Sequence, residues 1–452
     1  MTTLVFLSAY LLLIPAGIFG ACLPIVRELG RPTRAASAML CGAIALTAEA
    51  ILFSLAGIPW TLPSLLIPLV TASAVAGWIL CRLPESPGPE NAYPGFPSAL
   101  IVLAATAHLV AMLGTSRATS IDFTYFWGVK AVQFAEHGGI DDALLRWPYF
   151  IHAVPDYPQL VPTTQSLGVL TLGRMEWVGA PLGSALWLLA GLPLVAALLA
   201  MHMPLRRGWL VAAFWYAAMA MSLAVSYSGG NAEAPLLVFE TLGALAVYSC
   251  AKEPRLAALA TLMLCGAAMT KVEAVVAIAA IVGGAFVRDF ESGFRSAARN
   301  AAIYLSGPVT AVALWFGYQL ARGMAVGYRP HGELARLHWE NLATVLRAFP
   351  GNLVAGTFGL SWMIPLTIIV VMLPSDRRRI AALLPLLAPI VALVLFFVFD
   401  YLHDPGNASE RIGWTLPRIS QPALSMLILS AGLVYRDASG HARQPGPALQ
   451  AR

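Results

Sequence analysis

The chain has 452 residues, of which 58% are hydrophobic and only 11% charged, with 28 Lys and Arg against 23 Asp and Glu. Soluble domains carry about 25% charged residues, and a chain this apolar has too few charges to cover its exterior with a water-compatible shell. A soluble enzyme, a nucleic-acid binder and a disordered protein are thereby excluded, and the net charge of +5 is read as loop charge on one side of a membrane.

A membrane-crossing helix takes about 20 mostly apolar residues. In chain order the stretches that fit are 3–26, 38–58, 62–81, 98–114, 178–201, 209–228, 233–250, 255–270, 272–287, 300–321, 352–374, 380–401 and 418–435. The expected fold is therefore an all-α polytopic integral membrane protein with about 13 transmembrane helices (11–13), since 255–270 and 272–287 also read as one broken hairpin. The run 3–26 is too long for a signal peptide and lacks a basic leader, so it is read as a retained span. The Pro-rich stretch 84–97 separates residues 1–97, three spans and a linker, from a core at 98–435 with long segments at 115–177, 322–351 and 402–417. Residues 436–452 read as a disordered cytoplasmic tail. The five Cys all fall in or beside apolar runs, which argues against a disulfide framework or a zinc cluster.

Lys and Arg gather on the cytoplasmic side of membrane proteins. An outer N-terminus with alternating spans places Arg206, Arg207 and Arg377–Arg379 inside, together with most of the other basic residues, and puts the long segments outside. Residues 160–174 are apolar enough to imitate a further span, which would strand the arginine triplet outside. With Pro162, Thr163, Thr164, Gln165 and Ser166 in its first half, this segment is expected to be an amphipathic helix along the outer membrane face. The stretch 332–349 reads likewise as an interfacial amphipathic helix, either a roof over a cavity or a passive surface element.

With charge so scarce, the polar residues beside spans carry the information. Asp122 follows a span directly, with Phe126, Trp127 and Lys130 just beyond it; the alternative reading is a surface helix bearing interfacial aromatics. Glu233 opens the span 233–250, where an acid in the first turn is also favoured simply by the helix dipole. Glu240 lies two turns deeper and must face protein or water. Thr270-Lys271-Val272-Glu273 leaves no room for a real loop, so Lys271 either pairs with Glu273 across a tight turn or holds an anionic group. Arg418 opens the last span on the outer side, against the charge bias, and requires a carboxylate, a phosphate or a headgroup to hold it.

Taken together these segments resemble the GT-C glycosyltransferases, polytopic enzymes that use polyprenyl-phosphate-linked sugars and include protein O-mannosyltransferases and the lipid A aminoarabinose transferase. The matching residues are Asp122, the turn Pro155-Asp156-Tyr157-Pro158-Gln159-Leu160, Ala232-Glu233-Ala234-Pro235-Leu236 with Glu in place of the family's Asp, Thr270-Lys271-Val272-Glu273, and the segment FWGVKA, over about residues 98–435. The resemblance implies an inverting transfer of a sugar from a polyprenyl-phosphate donor to a lipid, glycan or protein acceptor, at the outer face of the inner membrane. In that scheme Asp122 is the general base, and Lys130, Lys271 and Arg418, with Arg329 behind them, stabilise the departing phosphate. Glu233 and Asp156 orient the acceptor or the base, or hold a divalent cation, although no acidic triplet at Asp122 supports a metal dyad. Tyr157, Glu273, His331 and His403 complete the candidate substrate-binding set, the two His also being readable as ordinary surface residues. A surface-polysaccharide polymerase or ligase, and a lipid-linked sugar transporter or flippase, are the competing readings. A transporter would carry its acids or broken helices mid-span and often show paired repeats; here the acids cluster at the outer ends of spans and no repeat is visible, which favours the enzyme.

Overall fold

The computed structural model describes residues 1–83, 106–110, 112, 120, 122–147, 157–226, 228–324, 336–355, 359–373, 376–403 and 406–441. Asp156, Arg329 and His331, most of the expected span 98–114 and the end of the tail lie outside the described residues. Every regular element among the described residues is helical. The principal helices are α1 (Arg31–Ala56), α2 (Leu62–Cys81), α3 (Gly128–His137), α4 (Leu160–Leu172), α5 (Gly179–Ala200), α6 (Leu205–Val225), α7 (Glu233–Ser249), α8 (Ala257–Ala268), α9 (Ala274–Asp289), α10 (Phe294–Ala321), α11 (Leu342–Ala355), α12 (Gly359–Met372), α13 (Arg377–Tyr401), α14 (Ala408–Ile419) and α15 (Gln421–His441). Five of them (α1, α2, α5, α10 and α13) are long and apolar enough to cross a membrane. This is the pattern of an α-helical membrane protein. Helix α8, with 12 residues, spans about 18 Å and falls short of a bilayer core of about 30 Å.

Four expectations change on the structure. The run 3–26 is not one helix: it breaks into Thr2–Ser8, Ala9–Leu12, Leu13–Ala16, Ile18–Ala21 and Pro24–Glu28. The break sits where the backbone of this run meets α1. A methyl group on Gly17 would lie 2.1 Å from the Ala38 carbonyl oxygen, and one on Gly42 would lie 1.9 Å from that of Leu13. Only glycine permits so close a crossing, a common device between membrane helices. The segment 160–174 is not an amphipathic surface helix, because residues Leu160 to Val169 of α4 are all buried. Its hydroxyls bond within the helix, Thr163, Thr164 and Ser166 donating to the carbonyls of Gln159, Leu160 and Pro162, while Gln165 Nε2 donates outside it to the carbonyl of Gly230. In the stretch 332–349, α11 begins only at Leu342, after a 3₁₀ turn at Trp339–Asn341, and continues to Ala355 with Val345 and Phe349 buried and Leu346 exposed. The last expected span divides at Ser420 into α14 and α15, and α15 carries helix into the expected tail as far as His441.

Helix α7 is the axis of the fold. All seventeen of its residues are buried, and it packs against α5, α8, α9, α13 and α15. The N-terminal helices belong to the same body, since α1 packs on α4, α5, α8 and α10, and one hydrophobic core extends from Phe6 to Val434. A buried polar knot pins α6, α7 and α15 together: Trp215 Nε1 donates to Ser425 Oγ at 2.5 Å, and Thr241 Oγ1 lies 2.5 Å from the same oxygen.

Candidate functional site

Six of the residues singled out from sequence converge at one end of α7. Arg418 Nη1 is 2.5 Å from Asp122 Oδ2, and Arg418 Nε is 3.2 Å from Glu233 Oε1. Lys271 Nζ is 3.3 Å from the same Glu233 oxygen and 3.6 Å from Glu273 Oε1, and Tyr157 donates its hydroxyl to Glu273 at 2.8 Å. Arg418 is thus held by carboxylates, and Lys271 pairs both with Glu273 across its own turn and with the distant Glu233. Lys130 joins through aromatic rings. Its ammonium lies 5.5 Å from the Trp127 ring centroid, Trp127 stacks on Tyr157 at 5.8 Å, and Lys271 Nζ lies 5.7 Å from the Tyr157 ring. His403 stands elsewhere, with Nδ1 3.0 Å from the Phe399 carbonyl and its ring against Phe399.

Local sequence explains how these groups meet. Asp122 leads into a π-helical turn, Phe123–Trp127, a local geometry that recurs at functional sites. Phe123 and Trp127 are buried, not interfacial, and Tyr125 takes the outward position. The ring of Phe123 rests on Gly230, whose φ of +78° suits glycine and whose missing methyl would sit 2.5 Å from that ring. The Gly230 amide donates to Ser184 Oγ at 3.1 Å, and Ser120 Oγ donates to Asn231 Oδ1 at 3.0 Å. The turn before α7 therefore fixes the Asp122 segment beside Glu233. On the other side the Leu160 amide donates to the Met269 carbonyl at 3.0 Å, tying the Tyr157 segment to the Lys271–Glu273 turn. Thr270 is fully buried and closes α8 by donating to Gly266 O at 2.7 Å.

Glu233 and Lys271 are almost inaccessible, with side chains 2% and 7% exposed, whereas Asp122 (26%), Glu273 (21%) and Arg418 (19%) form the accessible edge. Burial holds the Asp122 carboxyl above the usual carboxylate range, with the Glu233 charge adding to the rise and Arg418 opposing it. Burial also works against the Lys271 ammonium, but Glu233 and Glu273 outweigh it and keep the amine charged. Tyr157 is pushed well above its ordinary value by burial and by the Glu273 carboxylate. Fully ionised, the cluster sets three carboxylates against two cations.

Glu240 faces the same narrow cavity as Glu233, Lys271, Glu273 and Arg418, and the apolar wall comes from Leu393, Phe397 and Ile419. The sequence marks Glu240 as costly without assigning it to the site. One oxygen each of Glu233, Glu240 and Glu273 is buried without a hydrogen bond. Beyond the cluster Asp400 pairs with Arg411 at 2.9 Å, a contact that Asp400's place at the end of an apolar run conceals. Among the described residues no group of three His, Cys, Asp or Glu is arranged to hold a metal ion, and the Glu233 carboxylate faces Lys271 and Arg418. No protein-family model matches the chain, and neither a curated protein nor a solved structure does.

Proposed function

We propose that the protein is a membrane glycosyltransferase of the GT-C type, transferring a sugar from a polyprenyl-phosphate donor to a lipid, glycan or protein acceptor with inversion at the anomeric carbon. The observation that carries this reading is the convergence of Asp122, Glu233, Lys271, Glu273 and Arg418, from four separate chain segments, on one partly accessible cluster. Asp122 takes the proton of the acceptor hydroxyl. The acceptor oxygen attacks the anomeric carbon as the bond to the donor phosphate breaks, and the polyprenyl phosphate leaves with that electron pair. Arg418 and Lys271 stabilise the developing phosphate charge.

At rest Arg418 sits on Asp122 at 2.5 Å, so the base is masked. An arriving phosphate draws the guanidinium away by a charge-assisted fork and frees the carboxylate. Glu233 keeps Lys271 aligned throughout. The common location of the four segments also supports a topology in which all face one side of the membrane, read from the distribution of Lys and Arg as the outer side of the inner membrane, with an outer N-terminus, a cytoplasmic C-terminus and about 13 spans.

The test is reconstitution in vesicles with polyprenyl-phosphate sugars and a membrane lipid extract as acceptor, read by mass spectrometry. A new sugar–acceptor bond that disappears in Asp122→Asn is the expected result; donor consumed equally by the variant refutes the base. A second reading has one observation in its favour: Glu240, buried mid-helix on the same cavity, is what a proton-coupled carrier of lipid-linked sugar would use. Movement of labelled donor across the vesicle without a covalent product would select it.

A further inference from the structure

A second site lies toward the other end of the bundle. Helices α6 and α15 run antiparallel: Gln421 Nε2 donates to Ser226 Oγ at 2.9 Å near the ionic cluster, and Arg436 Nη1 donates to the His202 carbonyl at 2.7 Å at the far end. These two contacts are about 22 Å apart along α15. Toward the far end, α6, α12 and α15 enclose a groove of about 470 Å³, within the range of small-molecule sites. Phe214, Ile364 and Ile368 form its apolar walls, and Arg207 and Arg436 line it as well. At Gly432 the helices approach closely, since a methyl group there would meet Val211 at 2.9 Å. Among the described residues the lining contains these two cations and no acid. Lys252 adds a third cation beyond the rim, its Nζ 3.5 Å from the Met201 carbonyl.

We infer that this groove is a binding site for an anionic glycerophospholipid, with an acyl chain along Phe214, Ile364 and Ile368 and the headgroup phosphate on Arg207 and Arg436. Charge complementarity selects the occupant. A neutral lipid would gain only the apolar wall, whereas two guanidinium groups offer planar donor forks that match phosphate oxygens. The distance from Arg418 makes the site separate from the ionic cluster, so the inference rests on membrane character and not on glycosyl transfer.

Delipidated protein in mild detergent is titrated with phosphatidylglycerol or phosphatidylcholine of matched chains, and occupancy is read by native mass spectrometry. Phosphatidylglycerol is expected to be retained at least fivefold better. Arg207→Gln, which leaves the Arg436–His202 bond in place, is expected to remove at least half of that preference, and Arg207→Gln/Arg436→Gln to abolish it. Ile368→Trp, which fills the groove without touching charge, is expected to lower retention of both lipids. Equal retention of the two lipids by the wild type overturns the inference. So does an unchanged preference in Arg207→Gln, or displacement of the lipid by millimolar inorganic phosphate alone, which would mark a simple anion site.

Discussion

Removing the Lys271 charge by Lys271→Met tests the cluster most directly. At 3.3 Å and an effective dielectric of about 20, the Lys271–Glu233 attraction amounts to about 5 kcal/mol before desolvation is counted. Glu233 cannot reach water to recover that loss, because its side chain is 2% exposed. Breaking a buried pair from one side generally costs about 3–5 kcal/mol; Arg418, 3.2 Å from the same Glu233 oxygen, keeps the expected loss near 3 kcal/mol. Glu233→Gln should cost less, since Lys271 retains Glu273 and Arg418 retains Asp122. The double variant Lys271→Met/Glu233→Gln removes both buried charges together, and its loss should be smaller than the sum of the single losses by about 1–3 kcal/mol. Thermal unfolding in detergent, followed by tryptophan fluorescence on all four proteins, gives the order: wild type highest, Lys271→Met lowest, the double variant above Lys271→Met. Additive losses, or a Lys271→Met protein as stable as wild type, would refute a coupled buried pair.

Asp122→Asn should lower transfer by about 10²–10⁴-fold with donor binding retained, as measured by initial rates and donor titration. Because the Asp122 carboxyl lies above its ordinary value and must be ionised to act as base, the rate should fall as pH drops through that raised pKa; the acid limb of the pH–rate profile should therefore stand above the ordinary Asp value of about 3.9. Gly230→Ala should destabilise the protein by more than about 1 kcal/mol in the same unfolding assay, since it adds both a strained backbone and a clash with Phe123.

The residues of the site were legible in the sequence because a chain with 11% charged residues retains few charges beside its spans without cause. Their mutual contacts were not. Asp122, Glu233, Lys271 and Arg418 are distant along the chain, and the turn that joins the first two depends on Gly230 accepting the ring of Phe123. Helix α4 misled for the opposite reason: Thr163, Thr164 and Ser166 look like a water-facing stripe, yet each hydroxyl is satisfied by its own helix backbone. The break in the first run was equally hidden, since the crossing of Gly17 with Gly42 is a tertiary event that composition cannot show. Trp127 reads as an interfacial belt residue, but it stacks on Tyr157 and links Lys130 to the cluster.

Because α7 has no outward face, it has no finished environment while the chain is being made. Its neighbour α5 precedes it in synthesis, α8 and α9 follow soon after, and α13 and α15 come last. Until α14 arrives with Arg418, Asp122 lacks its cation and Glu233 depends on Lys271 alone. The C-terminal helices therefore act as a completion signal: before they arrive the fully ionised cluster sets three carboxylates against Lys271 alone, and Arg418 lowers that excess from two negative charges to one. Chains cut after residue 376 should be cleared by membrane proteases much faster than chains cut after His441, and equal half-lives in a pulse–chase comparison would show that the earlier helices balance their own charge.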